Sequence, residues 1–303
     1  MPELGFCVEA TLLPLDFQVQ CPLIFQLPLP RGLRPPVVQW RLEVAVQVQL
    51  SEDVVLDSRR AVWLPRHGTL VLADLFLGLG AARRRRPDPM PATPHLEIWE
   101  RVFSLIDDFA PTQIALLGDL KPSQGTVEGD EADELRTVFR KLSRGGRKVV
   151  QVVGHPDRSV GPALDGTGIT PVDQHRVGPF TLMHRRRIFV YPRHEPSHGF
   201  WINGGVHPLF AVPGPGTQGE PDWMRLPAFL YTGFALVMPP FVSYAQGFEV
   251  IQAERLPRQA RAWTLLADRI SPLDLTELPP SPEHLRTLTR PARKGKEPTR
   301  SAG

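Results

Sequence analysis

Cysteine is scarce in this chain. There are two, Cys7 and Cys21, close together near the start. Such a pair builds neither a disulfide framework nor a zinc cluster, and we read both as reduced thiols of a cytoplasmic protein. Long apolar runs are also missing. None approaches the roughly 18 residues of a membrane span, so no membrane partner is expected. The first residues include Glu3 and lack a basic segment ahead of a clean apolar one, which argues against a signal peptide. No internal repeat recurs. No glycine-rich phosphate loop follows the first strand, which weighs against an ordinary nucleotide-binding α/β protein. Excess charge of one sign is absent too. The net charge is +3 at a sequence pI of about 9.1, so affinity for nucleic acid has to come from local clusters.

What is abundant is proline, 34 residues among 303, which punctuates a chain that is 42% hydrophobic and ample for a large core. Residues 1–41 are apolar but proline-broken and read as an N-terminal extension. From Gln39 to Leu50 the pattern alternates, with Leu42, Val44, Val46, Val48 and Leu50 on one face, as in a half-buried strand. Thr93-Pro94 reads as a cap followed by proline at the first helical position. Leu96, Trp99, Val102, Phe103, Ile106 and Phe109 then recur at helical spacing. "QIALLGD" is a buried strand. Asp130 caps a second helix with Leu135, Val138, Phe139 and Leu142 on its apolar face, stopped by Gly145-Gly146. "KVVQVVGHPD" is a further strand. Strand, helix, strand, helix, strand is the rhythm of an α/β layered fold with a mainly parallel core. The second half changes to short strands ("FTLMH", "RIFVYP", "GFWING", "FALVMPPF") and predicts a second sheet. We expect the main domain over 42–250, a C-terminal helix within 251–270 around Ala260 to Ile270, and a disordered basic tail over 271–303, rich in proline and charge.

Three strand ends deliver a carboxylate: Asp74 in "ADLFLG", Asp119 in "LGDLKPS" and Asp157 in "GHPD". Two histidines stand in turns beside proline or glycine, His194 in "RHEP" and His207 in "GGVHP". Carboxylates and imidazoles at successive strand ends converge in space, and divalent ions such as Mn²⁺ and Zn²⁺ take these ligands. Taken alone, each is commonly a turn or cap residue or a satisfied structural histidine. His184 and His198 read as plain surface or loop residues. Two basic runs, Arg83, Arg84, Arg85 and Arg86, and then Arg185 to Arg187, are either solvated loops or phosphate contacts. The first run follows Asp74 closely, which favours phosphate binding there.

In order, spacing and flanks these segments resemble the calcineurin-like metallophosphoesterases, and among them the DNA-ligase-associated type, over roughly residues 42 to 250. The resemblance implies a two-sheet sandwich flanked by helices and a metal site of Asp74, Asp119, His155, His194 and His207. It also marks departures. The family's Asp-x-His is here Asp74 with Phe76. Its Gly-Asn-His-Asp is Gly154-His155-Pro156-Asp157, so His155 replaces a metal-binding asparagine and Pro156 the catalytic histidine. Its Gly-His-x-His is Gly204-Gly205-Val206-His207, with the first histidine gone. A first ion would keep Asp74, Asp119 and His207. A second would keep Asp119 and His194, with His155 in place of the asparagine. Phe76, two residues past Asp74 on an extended strand end, would point the same way and fill the space of an imidazole.

The expectation is therefore a phosphodiesterase relative with one divalent ion or none (Mn²⁺ or Zn²⁺) and weak or lost hydrolysis. Losing a positioned general acid costs about 10²–10⁴-fold in rate. A place in DNA-end processing, with a DNA ligase or helicase as partner, is implied by the resemblance alone. Two rivals stand beside it: an active phosphodiesterase with a rebuilt site, and a noncatalytic scaffold whose basic loops hold nucleic acid or a protein.

Overall fold

The computed structural model describes residues 46–77, 94–120, 127, 129–154, 160, 164, 166–169, 171–184, 199–213, 223–242, 248–249 and 256–275. The N-terminal extension, His155 to Asp157, His194, His198, Arg83 to Arg86, Arg185 to Arg187 and residues 276–303 of the expected tail lie outside them.

The first sheet has seven strands in chain order: β1 (Gln47–Ser51), β2 (Val54–Asp57), β3 (Ala61–Leu64), β4 (Thr69–Ala73), β5 (Gln113–Leu117), β6 (Lys148–Val152) and β7 (Pro171–Val172). Strands β1 to β4 form an antiparallel meander, and β4 to β7 run parallel. The parallel pairings require crossovers, and helices Pro94–Phe109 and Asp130–Leu142 supply two of them. Pro94 opens the first helix as expected. The second is preceded by Gly129 at its N-cap, so Asp130 is its first helical residue rather than its cap.

Alternation along β4 shows how this sheet is buried on both faces. Leu70 and Leu72 face the helices, joining Val102, Leu105, Leu135 and Phe139 in one core. Val71 and Ala73 face the other way, joining Ala115, Leu117 and Val152 against Leu182, Ile202, Phe229, Leu236 and Trp263 of the second sheet. A strand buried on both sides reads as a continuous apolar run, which is what "TLVLA" is.

The second sheet runs β14-β11-β12-β13-β10-β9-β8, with β15 and β16 added beside β12. Its strands are β8 (Gln174–Val177), β9 (Phe180–His184), β10 (Phe200–Gly204), β11 (Pro208–Pro213), β12 (Trp223–Tyr231), β13 (Ala235–Val237), β14 (Phe248–Glu249), β15 (Arg261–Leu266) and β16 (Arg269–Leu273). The protein is thus an α/β two-sheet sandwich with the helices on the outer face of the first sheet.

Where the sequence suggested a helix around Ala260 to Ile270, the structure has the β15–β16 hairpin, turning at Ala267-Asp268. Ala262, Trp263, Thr264 and Leu265 are buried in succession because β12 and β16 flank the strand while both faces are covered. A short run buried all round has no period that separates helix from strand. The second sheet consequently extends past residue 250, and Ser271–Leu273 belongs to it rather than to the tail.

Candidate metal centre

The C-terminal ends of β4, β5, β9 and β10 meet where the two sheets pack. Ala73 is level with Leu117 across β4–β5, and His184 with Gly204 across β9–β10. Backbone bonds carry the pairing past the strand ends: Asp74 N–H donates to Leu117 O at 3.1 Å, Phe76 N–H to Asp119 O at 3.0 Å and Gly118 N–H to Val152 O at 2.8 Å. The segment after β13 ties the sheets together. Met238 N–H donates to Asn203 O and Phe241 N–H to Ala73 O, each at 2.8 Å.

This scaffold holds four buried polar residues together: Asp74, Asp119, His184 and His207. His184 Nε2 lies 2.7 Å from Asp74 Oδ1 and 3.8 Å from Asp119 Oδ1. His207 Nε2 is 3.2 Å from the same Asp74 Oδ1. The other oxygen, Asp74 Oδ2, accepts the Gly205 N–H at 3.0 Å. Burial alone would push the Asp74 carboxyl up. The imidazole of His184, and after it that of His207, outweigh burial and hold Asp74 well below the usual carboxylate range.

The backbone is strained in the same place. Asp74 (φ 57°), Phe76 (46°), Asp119 (41°) and His207 (54°) all adopt the left-handed region, which costs of order 1–3 kcal/mol for a residue with a side chain. Aspartate tolerates this conformation; phenylalanine does so poorly. The strand therefore ends at Ala73. Phe76 is not on an extended segment and does not follow Asp74 by alternation. Its half-buried ring instead packs edge-on against His207, centroids 6.2 Å apart.

Three glycines cradle the His184 ring. A Cβ on Gly118 (φ 50°) would collide with the imidazole. One on Gly205 (φ 79°) would lie 2.6 Å from its Cε1, and one on Gly204 would lie 3.0 Å from its Cδ2. Gly205 is the position where the motif resemblance implies a histidine. Here its missing side chain is the space that His184 occupies.

Of the residues singled out in the sequence, the structure brings together Asp74, Asp119 and His207. His155, His194 and Arg83 to Arg86 lie outside the described residues. His184, read from sequence as a surface or loop residue, is instead buried at the end of β9 and in contact with Asp74. The sequence shows only that a histidine closes the apolar strand "FTLMH"; its place opposite Gly204 comes from the pairing of β9 with β10. The Arg185–Arg187 run behind it made the segment look solvated.

Donor atoms of Asp74, Asp119 and His184 all lie within 4.8 Å of one another. Two carboxylates and an imidazole are a suitable set for Mn²⁺ or Zn²⁺, which bind such ligands at about 2.0–2.2 Å. The residues present fit one divalent ion.

No protein-family model and no curated protein matches the chain. Among solved structures it is similar to the nuclease MPE of Pseudomonas putida, at 23% identity over 73% of this chain and 94% of that one, with a TM-score of 0.55. Yfce, a phosphoesterase from E. coli, aligns at 16% identity over 70% of this chain and 94% of that one, with a TM-score of 0.32. The first likeness shows the fold, the α/β two-sheet sandwich that the resemblance in motif order implies.

Proposed function

We propose that the chain is a metal-dependent phosphoesterase with one ion site and reduced hydrolytic power, acting on phosphodiesters of nucleic acid. The observation that carries this reading is the buried cluster of Asp74, Asp119 and His184, with donor atoms within 4.8 Å of one another at the joined strand ends. Asp119 and His184 would hold the ion from β5 and β9, and Asp74 would complete the set from β4. The Gly205 N–H fixes which Asp74 oxygen faces inward. A divalent ion bound there supplies Lewis-acid charge neutralisation and lowers the pKa of a water ligand. His207, against Asp74 and under the Phe76 ring, is placed to hold a proton at Nε2 or to add a fourth ligand.

Reduced power follows from what the chain lacks. Phe76 offers no lone pair, and Gly205 has no side chain and, with His184 in place, no room for one. Pro156 transfers no proton. The nucleic-acid substrate class is supported by the fold shared with a nuclease. DNA-end processing, a ligase or helicase partner and a cytoplasmic setting come from the motif resemblance and the cysteine pattern. Among the described residues no helix is long and apolar enough to cross a membrane.

The test is titration of the purified chain with Mn²⁺ by calorimetry, together with hydrolysis of an aryl phosphodiester. We expect one binding event, lost in Asp119→Asn and weakened at least about 10-fold in His184→Ala, a loss of the size seen when groups supporting a metal site are removed. Turnover at ordinary enzyme rates of about 1–10³ per second would instead favour the rebuilt-site reading. Unchanged Mn²⁺ affinity in both variants would refute the assignment.

A further inference from the structure

The opposite end of the same parallel strands carries an unusual charge distribution. Between Glu134 and Asp157 the sequence has six cations and no acid. Arg136 is paired with Asp133. The other five, Arg140, Lys141, Arg144, Arg147 and Lys148, crowd the end of the second helix, the turn after it and the start of β6. None of these five forms an ion pair among the described residues.

A simpler account covers part of this cluster. Cations at a helix C-terminus offset its dipole, and Arg147 caps this one, donating to Leu142 O at 2.9 Å and Lys141 O at 3.3 Å. It does not cover Arg144, exposed in the turn beyond the helix, or Lys148, exposed at the first position of β6. Between them Gly145 and Gly146 take φ of 73° and 76°, and no heavy atom lies within 4 Å of where a Gly146 Cβ would be. The main chain is bare there and open to close approach. Beside the turn is a cleft of about 380 Å³ whose lining includes Ser143, Arg147, Lys148, Thr167 and His175. Its walls combine these cations and hydroxyl groups with the apolar Val149, Val150, Ile169 and Val172. No large apolar side chain is exposed between Arg140 and Lys148, since Leu142 is buried. A bilayer would have nothing to insert, and stable anchoring needs a second signal besides basic charge.

We propose that this basic turn and cleft dock the phosphate backbone of a nucleic acid, at the far end of the strands from the metal cluster. The proposal shares its substrate class with the phosphoesterase reading but none of its residues. Val152, at the other end of β6, accepts a bond from Gly118 beside Asp119. The two places are thus separated by about 13 Å of strand, at roughly 3.3 Å per residue. A duplex rising 3.4 Å per pair spans that gap in about four pairs.

The experiment measures binding of the full chain to a dye-labelled 20-base-pair duplex by anisotropy across a KCl series. It compares the natural protein with a variant carrying Arg140→Ser, Arg144→Ser and Lys148→Ser, leaving the capping Arg147 intact. Each phosphate contact contributes about 0.9 to the log–log salt slope, so the variant's slope should be shallower by about 2.7. An unchanged slope overturns the proposal and leaves a solvated helix end. So does a slope that is unchanged while binding to phosphatidylserine vesicles is lost, which assigns the patch to a membrane. Arg144→Ser alone, in an exposed turn, should give about one third of the effect and guards against misfolding of the triple variant. Mn²⁺ affinity and hydrolysis of the small aryl phosphodiester should not change. Those readouts fail if the metal reading fails, whereas the salt slope fails only if the docking reading does.

Discussion

Replacing Gly205 with alanine tests whether the glycine is a lost ligand or a required space. The substitution adds one methyl group at φ 79°, and that carbon would sit 2.6 Å from His184 Cε1. A side chain in the left-handed region costs roughly 1–2 kcal/mol. Overpacking against the ring adds about 1–3 kcal/mol unless the imidazole moves. Gly146 provides the control, because it has a similar φ of 76° and open space around it. Gly146→Ala should therefore show the backbone cost alone. At about 2–4 °C per kcal/mol for a domain of this size, Gly205→Ala should melt several degrees below Gly146→Ala. If the ring moves to relieve the clash, Nε2 leaves its 2.7 Å contact with Asp74, and Mn²⁺ affinity should fall by about 10–100-fold. The assays are thermal unfolding without metal and calorimetric titration with Mn²⁺. Equal melting points and natural Mn²⁺ affinity in Gly205→Ala would refute the cradle argument. The family histidine could then be restored at 205 without cost.

Asp57 is fully buried and binds Arg59 at 2.8 Å through both carboxylate oxygens, while accepting from Gln47 at 2.9 Å. Its hydrogen bond to Arg59 raises the guanidinium above its ordinary pKa. Asp57→Ala leaves a mostly buried cation with only Asp108 as its acidic partner among the described residues, and should cost about 3 kcal/mol in urea unfolding; a loss below about 1 kcal/mol would contradict this. His175 is held below its ordinary pKa of 6.5, by burial first and by the nearby Lys148 second. The unfolded chain therefore takes up this proton before the folded one does. The folded form has its full advantage above pH 6.5 and loses it as the pH falls toward the lower folded value. His175→Gln should shrink the drop in melting temperature between about pH 7.5 and about pH 5, and an unchanged drop would refute the assignment.

Strands β4, β5 and β6 were legible in the sequence because each is a continuous apolar run stopped by a polar turn. The turns gave Asp74 and Asp119 directly. The two helices were legible from their period, and His207 from its glycine-rich flank. His184 was not legible. Its partner Asp74 is 110 residues away, and only the parallel pairing of β9 with β10 sets it beside Gly204. The meaning of Gly205 was hidden for the same reason: a glycine kept for space and a histidine lost look identical in one dimension. Phe76 escapes the alternation rule because positive φ at Asp74 ends the strand at Ala73, and no sequence pattern marks that break. The β15–β16 hairpin carries no period that separates strand from helix, because burial on both faces of β15 erases it.

The central claim is that Asp74, Asp119 and His184 form one ion site. Elemental analysis of the chain after saturation with Mn²⁺ and removal of free metal tests it most directly, with anomalous diffraction locating the ion. We predict one ion per chain, within ligand distance of Asp119 and His184, and none retained in Asp119→Asn. Two tightly held ions, or none at saturating Mn²⁺, would contradict it.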